Sequence, residues 1–88
     1  MRIKEGYMLR EAAGETVVVP FGEEALNFQG IISLNETGAF LWRQLEQGCE
    51  VDTLVKALLN EYEIDADTAN DDVKYFVEKV KKAGVLDA

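Results

Sequence analysis

Few side chains in this 88-residue sequence could carry out covalent chemistry. The chain has one cysteine, Cys49, and no histidine, which excludes a histidine-based triad, a disulfide within the chain and the usual zinc and iron–sulfur ligand sets. Glu46 and Glu50 lie close to Cys49 in the sequence, and their negative charges disfavour a reactive thiolate. The glycines are scattered singly and form no phosphate-binding loop. We therefore expect a protein that is not an enzyme and that holds no cofactor.

An acidic run that begins at Asp65 is the one candidate for a metal site. Asp65, Asp67 and Asp71 match the first, third and seventh positions of a calcium-binding loop. The sixth position is Asn70 where such loops have glycine, and the twelfth is Phe76 where they have glutamate. Apolar residues also recur at helical spacing through this run. The sequence therefore predicts the start of a helix and no metal ion.

The charge balance bears on the kind of partner. The net charge is −8, from 17 acidic and nine basic residues, and nucleic acid is itself a polyanion that proteins bind through Lys and Arg. Partners that are basic or mixed in charge therefore fit better than nucleic acid. The chain also lacks an apolar stretch long enough for a signal peptide or a membrane span. We expect one domain over residues 1–88, in the cytoplasm and away from membranes.

The elements that must position any binding site are three strands followed by three helices. Residues 7–13 and 16–20 alternate as strands do, and a turn at Gly14-Glu15 makes them a hairpin. Residues 30–34 are a third strand, whereas residues 21–29 read as a loop or as a frayed extension of a strand. This order predicts an α+β, winged-helix-like domain with a three-stranded antiparallel sheet followed by three helices.

The helices are marked by apolar stripes and by their caps. We predict helices over 36–47, 51–62 and 66–83, each with apolar residues at intervals of three and four. Asn35 and Asp65 are suited to cap the first and third helices, and Gly48 and Gly84 to end them. Val85 and Leu86 are expected to fold back onto the core.

The third predicted strand has an unusual edge. Natural edge strands are commonly blunted by Lys, Pro or a bulge, yet the segment from Gly30 to Leu34 carries neither charge nor proline. Such an edge beside a helix is suited to accept an extended peptide as an added strand. The alternatives are an interior strand, or apolar residues that simply belong to the core.

A set of residues spaced along most of the chain resembles the coenzyme PQQ synthesis protein D (PqqD) family. The set comprises Leu34-Asn35, Gly38, Leu41-Trp42, Leu45, Gly48, Leu54-Val55, Leu58, Tyr62, Asp72-Val73, Phe76-Val77 and Ala83-Gly84-Val85-Leu86. The resemblance implies a peptide chaperone that binds the leader segment of a ribosomally made precursor peptide. It also implies a modifying enzyme as partner, often a radical-SAM enzyme, and a product that is PQQ or another modified peptide.

The resemblance further implies where the leader lies. It would pair with the third strand, in the groove beside the third helix, and Ile32→Pro would test this by removing a backbone donor. On the helix, Val73 and Val80 would be central, and we favour the flank with Lys74, Val77 and Lys81 over the flank with Phe76 and Lys79. An alternative is that these lysines are only solvated. The full set of predicted peptide-binding residues is Gly30, Ile31, Ile32, Ser33, Leu34, Val73, Lys74, Val77, Val80 and Lys81.

Two other functions stay open at this point. Winged-helix domains are often transcription factors that bind DNA, but the second predicted helix offers only Lys56, and the third opens among four aspartates. The same strand edge could also join two copies of the chain into a homodimer.

Overall fold

The computed structural model describes residues 1–27 and 32–87. In chain order the elements are β1 (Arg2–Ile3), β2 (Tyr7–Ala12), β3 (Glu15–Pro20), α1 (Glu24–Asn27), β4 (Ile32–Leu34), α2 (Glu36–Glu46), α3 (Val51–Glu61), α4 (Ala66–Lys82) and β5 (Leu86–Asp87). Strands β2, β3 and β4 form an antiparallel sheet in that order, and β1 pairs antiparallel with β5. The predicted α+β fold with a three-stranded antiparallel sheet is confirmed.

The hairpin between β2 and β3 turns one residue earlier than predicted. Ala13 and Gly14 both have positive φ angles, 53° and 81°, and Glu15 already pairs with Ala12. Positive φ at both loop residues matches the right-handed twist of the flanking strands. Opposite residues such as Leu9 and Val18 then face the helices, and Val18 is fully buried.

The core lies between one face of this sheet and the three long helices. Each predicted apolar stripe contributes side chains to this core. The buried side chains include Trp42, Leu41 and Leu45 of α2, Leu54 and Leu58 of α3, and Val73, Phe76 and Val80 of α4. The apolar stripe predicted for α3 includes Val51 and Leu59, but both side chains are exposed, so the buried face of α3 is narrower than predicted. Within residues 1–27 and 32–87, the helices are too short or too polar to cross a membrane.

Helix α1 occupies part of the segment predicted as a loop or strand extension. The Tyr7 hydroxyl donates to Glu24 Oε2 at 2.9 Å and fixes this single turn against β2. Burial and the neighbouring Glu24 carboxylate both raise the pKa of Tyr7, so the phenol stays a donor. One turn carries too little periodicity to be recognised in a sequence. Residues 28 and 29, covered by the same prediction, lie outside the described residues.

The pairing of β1 with β5 was also not predicted. Arg2 lies opposite Asp87 and Ile3 opposite Leu86, and the Lys4 amide donates to the Val85 carbonyl at 2.9 Å. Two-residue strands show no alternation that a sequence could reveal. The prediction that the chain folds back after Gly84 is confirmed, because Val85 is fully buried.

Both predicted helix caps form, and we expect the Asp65 cap to make the stability of the fold depend on pH. The Asp65 carboxylate accepts the Thr68 amide at 2.7 Å, and this backbone hydrogen bond, helped by the Thr68 side chain, lowers the pKa of Asp65. Because the pKa of Asp65 is lower in the folded chain than in the unfolded chain, the ionised carboxylate stabilises the fold at pH values above the unfolded-state pKa, which is near 4. This stabilisation is lost as the pH falls through the folded-state pKa.

Thermal melts across the acidic range test this prediction. The wild-type chain should lose more stability on acidification than Asp65→Asn, whose amide oxygen still accepts the Thr68 amide at every pH. Asp65→Ala removes the cap altogether and should lower stability at neutral pH as well. Parallel pH profiles for wild type and Asp65→Asn would contradict the role assigned to this carboxylate.

Candidate functional site

A groove runs between the open side of β4 and helix α4. In the described part of the chain, β4 pairs with β3 on one side and with no strand on the other. A cavity of about 120 Å³ lies in the groove, beside the start of α2. Leu34 and Phe76 are nearly buried and form its apolar floor. The remaining lining residues are Asn35, Thr37 and Gly38 near the start of α2, and Asp72, Tyr75 and Lys79 of α4.

The sheet register turns the backbone of Ser33 toward this groove. Ala12 and Glu15 close a two-residue hairpin, and the closing pair of such a hairpin is hydrogen-bonded. Hydrogen-bonded and non-hydrogen-bonded pairs alternate along an antiparallel ladder, so Arg10 and Val17, two positions further on, are also a hydrogen-bonded pair. The N–H and C=O of Val17 therefore face β2. On its other side Val17 lies opposite Ser33 of β4, and because the polar backbone groups of Val17 face β2, this pair is not hydrogen-bonded. The N–H and C=O of Ser33 therefore point away from β3, to the open edge of β4.

A contact across the groove agrees with this orientation. The Lys79 ammonium donates to the Ser33 carbonyl oxygen at 2.7 Å and so joins α4 to the edge strand. The same ammonium lies 5.9 Å from the centroid of the Tyr75 ring. Tyr75 is 66% exposed, which is unusual for an aromatic side chain and places its ring on the rim of the groove.

The start of α2 closes one end of the groove. The Asn35 side-chain oxygen accepts the Gly38 amide at 2.8 Å and caps the helix as predicted. Gly38 permits this tight junction, because a Cβ atom there would lie 3.0 Å from Asn35 Oδ1 and 3.4 Å from Leu34 Cβ. The end of β4 and the first turn of α2 are therefore held as one unit.

The structure brings together some of the predicted site residues. Ile32, Ser33 and Leu34 form β4 as predicted, and Leu34 lines the cavity. Val73 and Val80 are fully buried in the core, so they support the groove from beneath and offer no surface to a ligand. Gly30 and Ile31, predicted for the same strand, lie outside the described residues.

The groove is bordered by the flank of α4 that sequence reasoning did not favour. Lys74 and Lys81 are exposed and Val77 is half-buried against the core, and none of the three lines the cavity. The apolar stripe has a similar polar border on each side, so the sequence cannot tell which border faces the sheet.

Asp72 and Tyr75 line the cavity but are not among the predicted peptide-binding residues. Tyr75 carried a usable signal, because it is an aromatic residue on the polar side of an amphipathic helix. Asp72 belongs to the set of residues that resembles the PqqD family, but its position indicated no binding role, since it lies among other acids that suit the start of any helix.

The candidate reactive groups lie elsewhere. Burial raises the pKa of the Cys49 thiol, Glu50 adds to this, and the nearby N-terminal ammonium opposes it, so the thiol form dominates at neutral pH. The run from Asp65 that resembles a calcium loop is helical from Ala66 onward. Among the described residues, no group of three His, Cys, Asp or Glu side chains is placed to bind a metal ion.

Comparisons with known proteins identify the family. Residues 15–86 match the family model described as coenzyme PQQ synthesis protein D (PqqD). No curated protein matches the chain. The solved structure of TbiB1 in complex with the TbiA(beta) leader peptide is 23% identical, with a TM-score of 0.77 over 100% of this chain and 96% of the other. A lasso peptide synthetase B1 complexed with the leader peptide is 21% identical, with a TM-score of 0.71 over 96% and 93%.

Proposed function

Because this chain belongs to the coenzyme PQQ synthesis protein D (PqqD) family, we propose that it binds the leader segment of a ribosomally made precursor peptide. The leader adds a strand to the open edge of β4 and lies in the groove beside α4. The observation that carries this proposal is the edge strand itself, with Ser33 turned outward next to a partly apolar groove. Both structurally similar proteins, TbiB1 and the lasso peptide synthetase B1, were solved with leader peptides.

Strand addition supplies affinity through the backbone and specificity through the side chains. The outward N–H and C=O of Ser33 can bond an extended peptide of any sequence. Side chains of that peptide alternate, so every second one points to the same face of the sheet. We propose that one of them enters the cavity over Leu34 and Phe76, where an apolar group fits the floor and Tyr75 covers it from the rim.

The chain itself acts as a carrier without catalysis. It presents the bound leader to a separate peptide-modifying enzyme, of the radical-SAM class or another, on the way to PQQ or a related peptide-derived product. The absence of histidine from the sequence and the protonated state of Cys49 support this division of labour. We propose that Gly30 and Ile31, which precede Ile32 in the sequence, also contact the leader.

A titration with three ligands tests the proposal. The first is a synthetic, fluorescein-labelled leader segment of the precursor peptide, which is to be sought among the short open reading frames beside the gene of this chain. The second is the remaining, core segment of the same peptide, and the third is duplex DNA at low salt. We expect saturable binding of the leader alone. Binding of DNA in preference to the leader would favour the transcription-factor alternative, and binding of none would refute the proposal.

A further inference from the structure

We propose that Lys79 is a latch across the groove, which holds the Ser33 carbonyl in the free chain and releases it when a peptide strand pairs with β4. This inference rests on the proposed function and adds a conformational step to it. The ammonium bridges residues 46 positions apart in the sequence, at 2.7 Å, and lies where a peptide between β4 and α4 would have to pass.

The latch and the peptide compete for one acceptor. Ser33 is the middle residue of a three-residue strand, and Ile32 and Leu34 direct their own N–H and C=O groups to β3. The Ser33 carbonyl is therefore the acceptor that β4 offers to an added strand. A carbonyl oxygen can accept two hydrogen bonds, but the Lys79 side chain spans the gap between α4 and β4 that the peptide backbone must fill, so the ammonium leaves as the ladder forms.

The released ammonium already has an alternative neighbour on its own helix. The Tyr75 ring centroid is 5.9 Å away, within the range at which a cation is attracted to an aromatic face. Tyr75 lies one turn before Lys79, so this contact does not depend on β4. The lysine can therefore swing from the strand to the ring without losing every favourable contact.

A latch also explains how an uncharged edge strand is tolerated. Natural proteins commonly protect sheet edges with lysine, which keeps them from pairing with another chain. In β4 that lysine is supplied from α4, so it can be moved aside by a specific ligand and return when the ligand leaves. A lysine within β4 itself would stay on the strand when a ligand pairs with it.

Charge-matched variants test the latch. Lys79→Met keeps the length and the apolar stem of the side chain but removes the donor. Lys82→Met makes the same change of net charge at an exposed position of α4 that neither lines the cavity nor belongs to the predicted peptide-binding residues. With the labelled leader segment as probe, we expect Lys79→Met to bind about three- to tenfold more tightly than Lys82→Met, as removal of one competing hydrogen bond predicts.

Each outcome of this comparison is decisive. Equal affinities, or weaker binding by Lys79→Met, would overturn the latch while the proposed function stands, provided that the wild type and Lys82→Met bind the leader. If the wild-type chain binds no leader, the proposed function fails and the latch fails with it. Circular dichroism melts of both variants establish that they are folded at the titration temperature.

Discussion

Replacing Ser33 with proline is expected to weaken leader binding by about tenfold or more. Proline has no backbone N–H, so the added strand loses its bond to the outward donor, and the ring projects into the space that the peptide backbone needs. One hydrogen bond lost corresponds to about 2- to 13-fold, and the steric conflict adds to it. The measurement is the dissociation constant of the labelled leader segment by fluorescence anisotropy.

The same substitution should leave the fold intact, because the Ser33 N–H is not part of the ladder to β3. Ser33→Ala is the matched control, since it removes the hydroxyl and keeps the backbone donor. We expect wild-type affinity for Ser33→Ala. If Ser33→Pro is folded and binds as tightly as Ser33→Ala, strand addition at this edge is refuted.

The register makes Ser33 a better test position than Ile32. A proline at Ile32 would remove an amide that faces β3, opposite Val18, and would loosen the sheet itself. Weak binding by that variant would then have two explanations, a missing donor or a displaced strand. The sequence alone favoured Ile32, because it indicates where the strand lies but not which of its amides face the neighbouring strand.

Replacing Trp42 with alanine is expected to cost about 3–5 kcal/mol of folding free energy. Trp42 is fully buried at the centre of the core, and its truncation leaves a cavity that the surrounding side chains can fill only in part. A single domain of this length is stable by roughly 4–13 kcal/mol in total. The variant should therefore lose a large share of its folding free energy, seen as a markedly lower midpoint in urea unfolding followed by circular dichroism.

Two further variants serve as controls for the stability loss of Trp42→Ala. Trp42→Phe keeps most of the apolar volume and loses the indole bond to the exposed Glu46, which is 3.3 Å long, so we expect a much smaller loss. Leu26→Ala removes an apolar side chain that is 86% exposed and should leave the unfolding midpoint unchanged. An unfolding midpoint of Trp42→Ala close to that of Leu26→Ala would contradict the central place of Trp42.

The parts of the fold that follow from the sequence are those with a local cause. The stripes of α2, α3 and α4 recur every three to four residues, and that spacing alone specifies a helix with one buried face. Asn35 and Asp65 satisfy free amides within three residues of themselves, so their roles as caps need no information from the rest of the chain. Single-turn α1 and the two-residue strands β1 and β5 have no such pattern.

The sequence by itself determined that a short uncharged strand precedes the helices and that α4 is amphipathic around Val73 and Val80. It also guided the functional hypothesis, because the lack of histidine and the net charge of −8 favour a peptide-binding protein over an enzyme or a nucleic-acid-binding protein. These properties depend on composition and on neighbours a few positions apart.

Only the tertiary structure decided which flank of α4 borders β4 and which residue of β4 faces it. Ser33 and Lys79 are 46 positions apart, and their contact depends on how α4 is rotated when its stripe packs under the sheet. Two similar polar borders flank that stripe, so no local pattern selects one. The direction of the Ser33 amide likewise depends on the register of the hairpin formed by β2 and β3. The turn at Ala13-Gly14 determines which residue pairs along these strands are hydrogen-bonded and which are not.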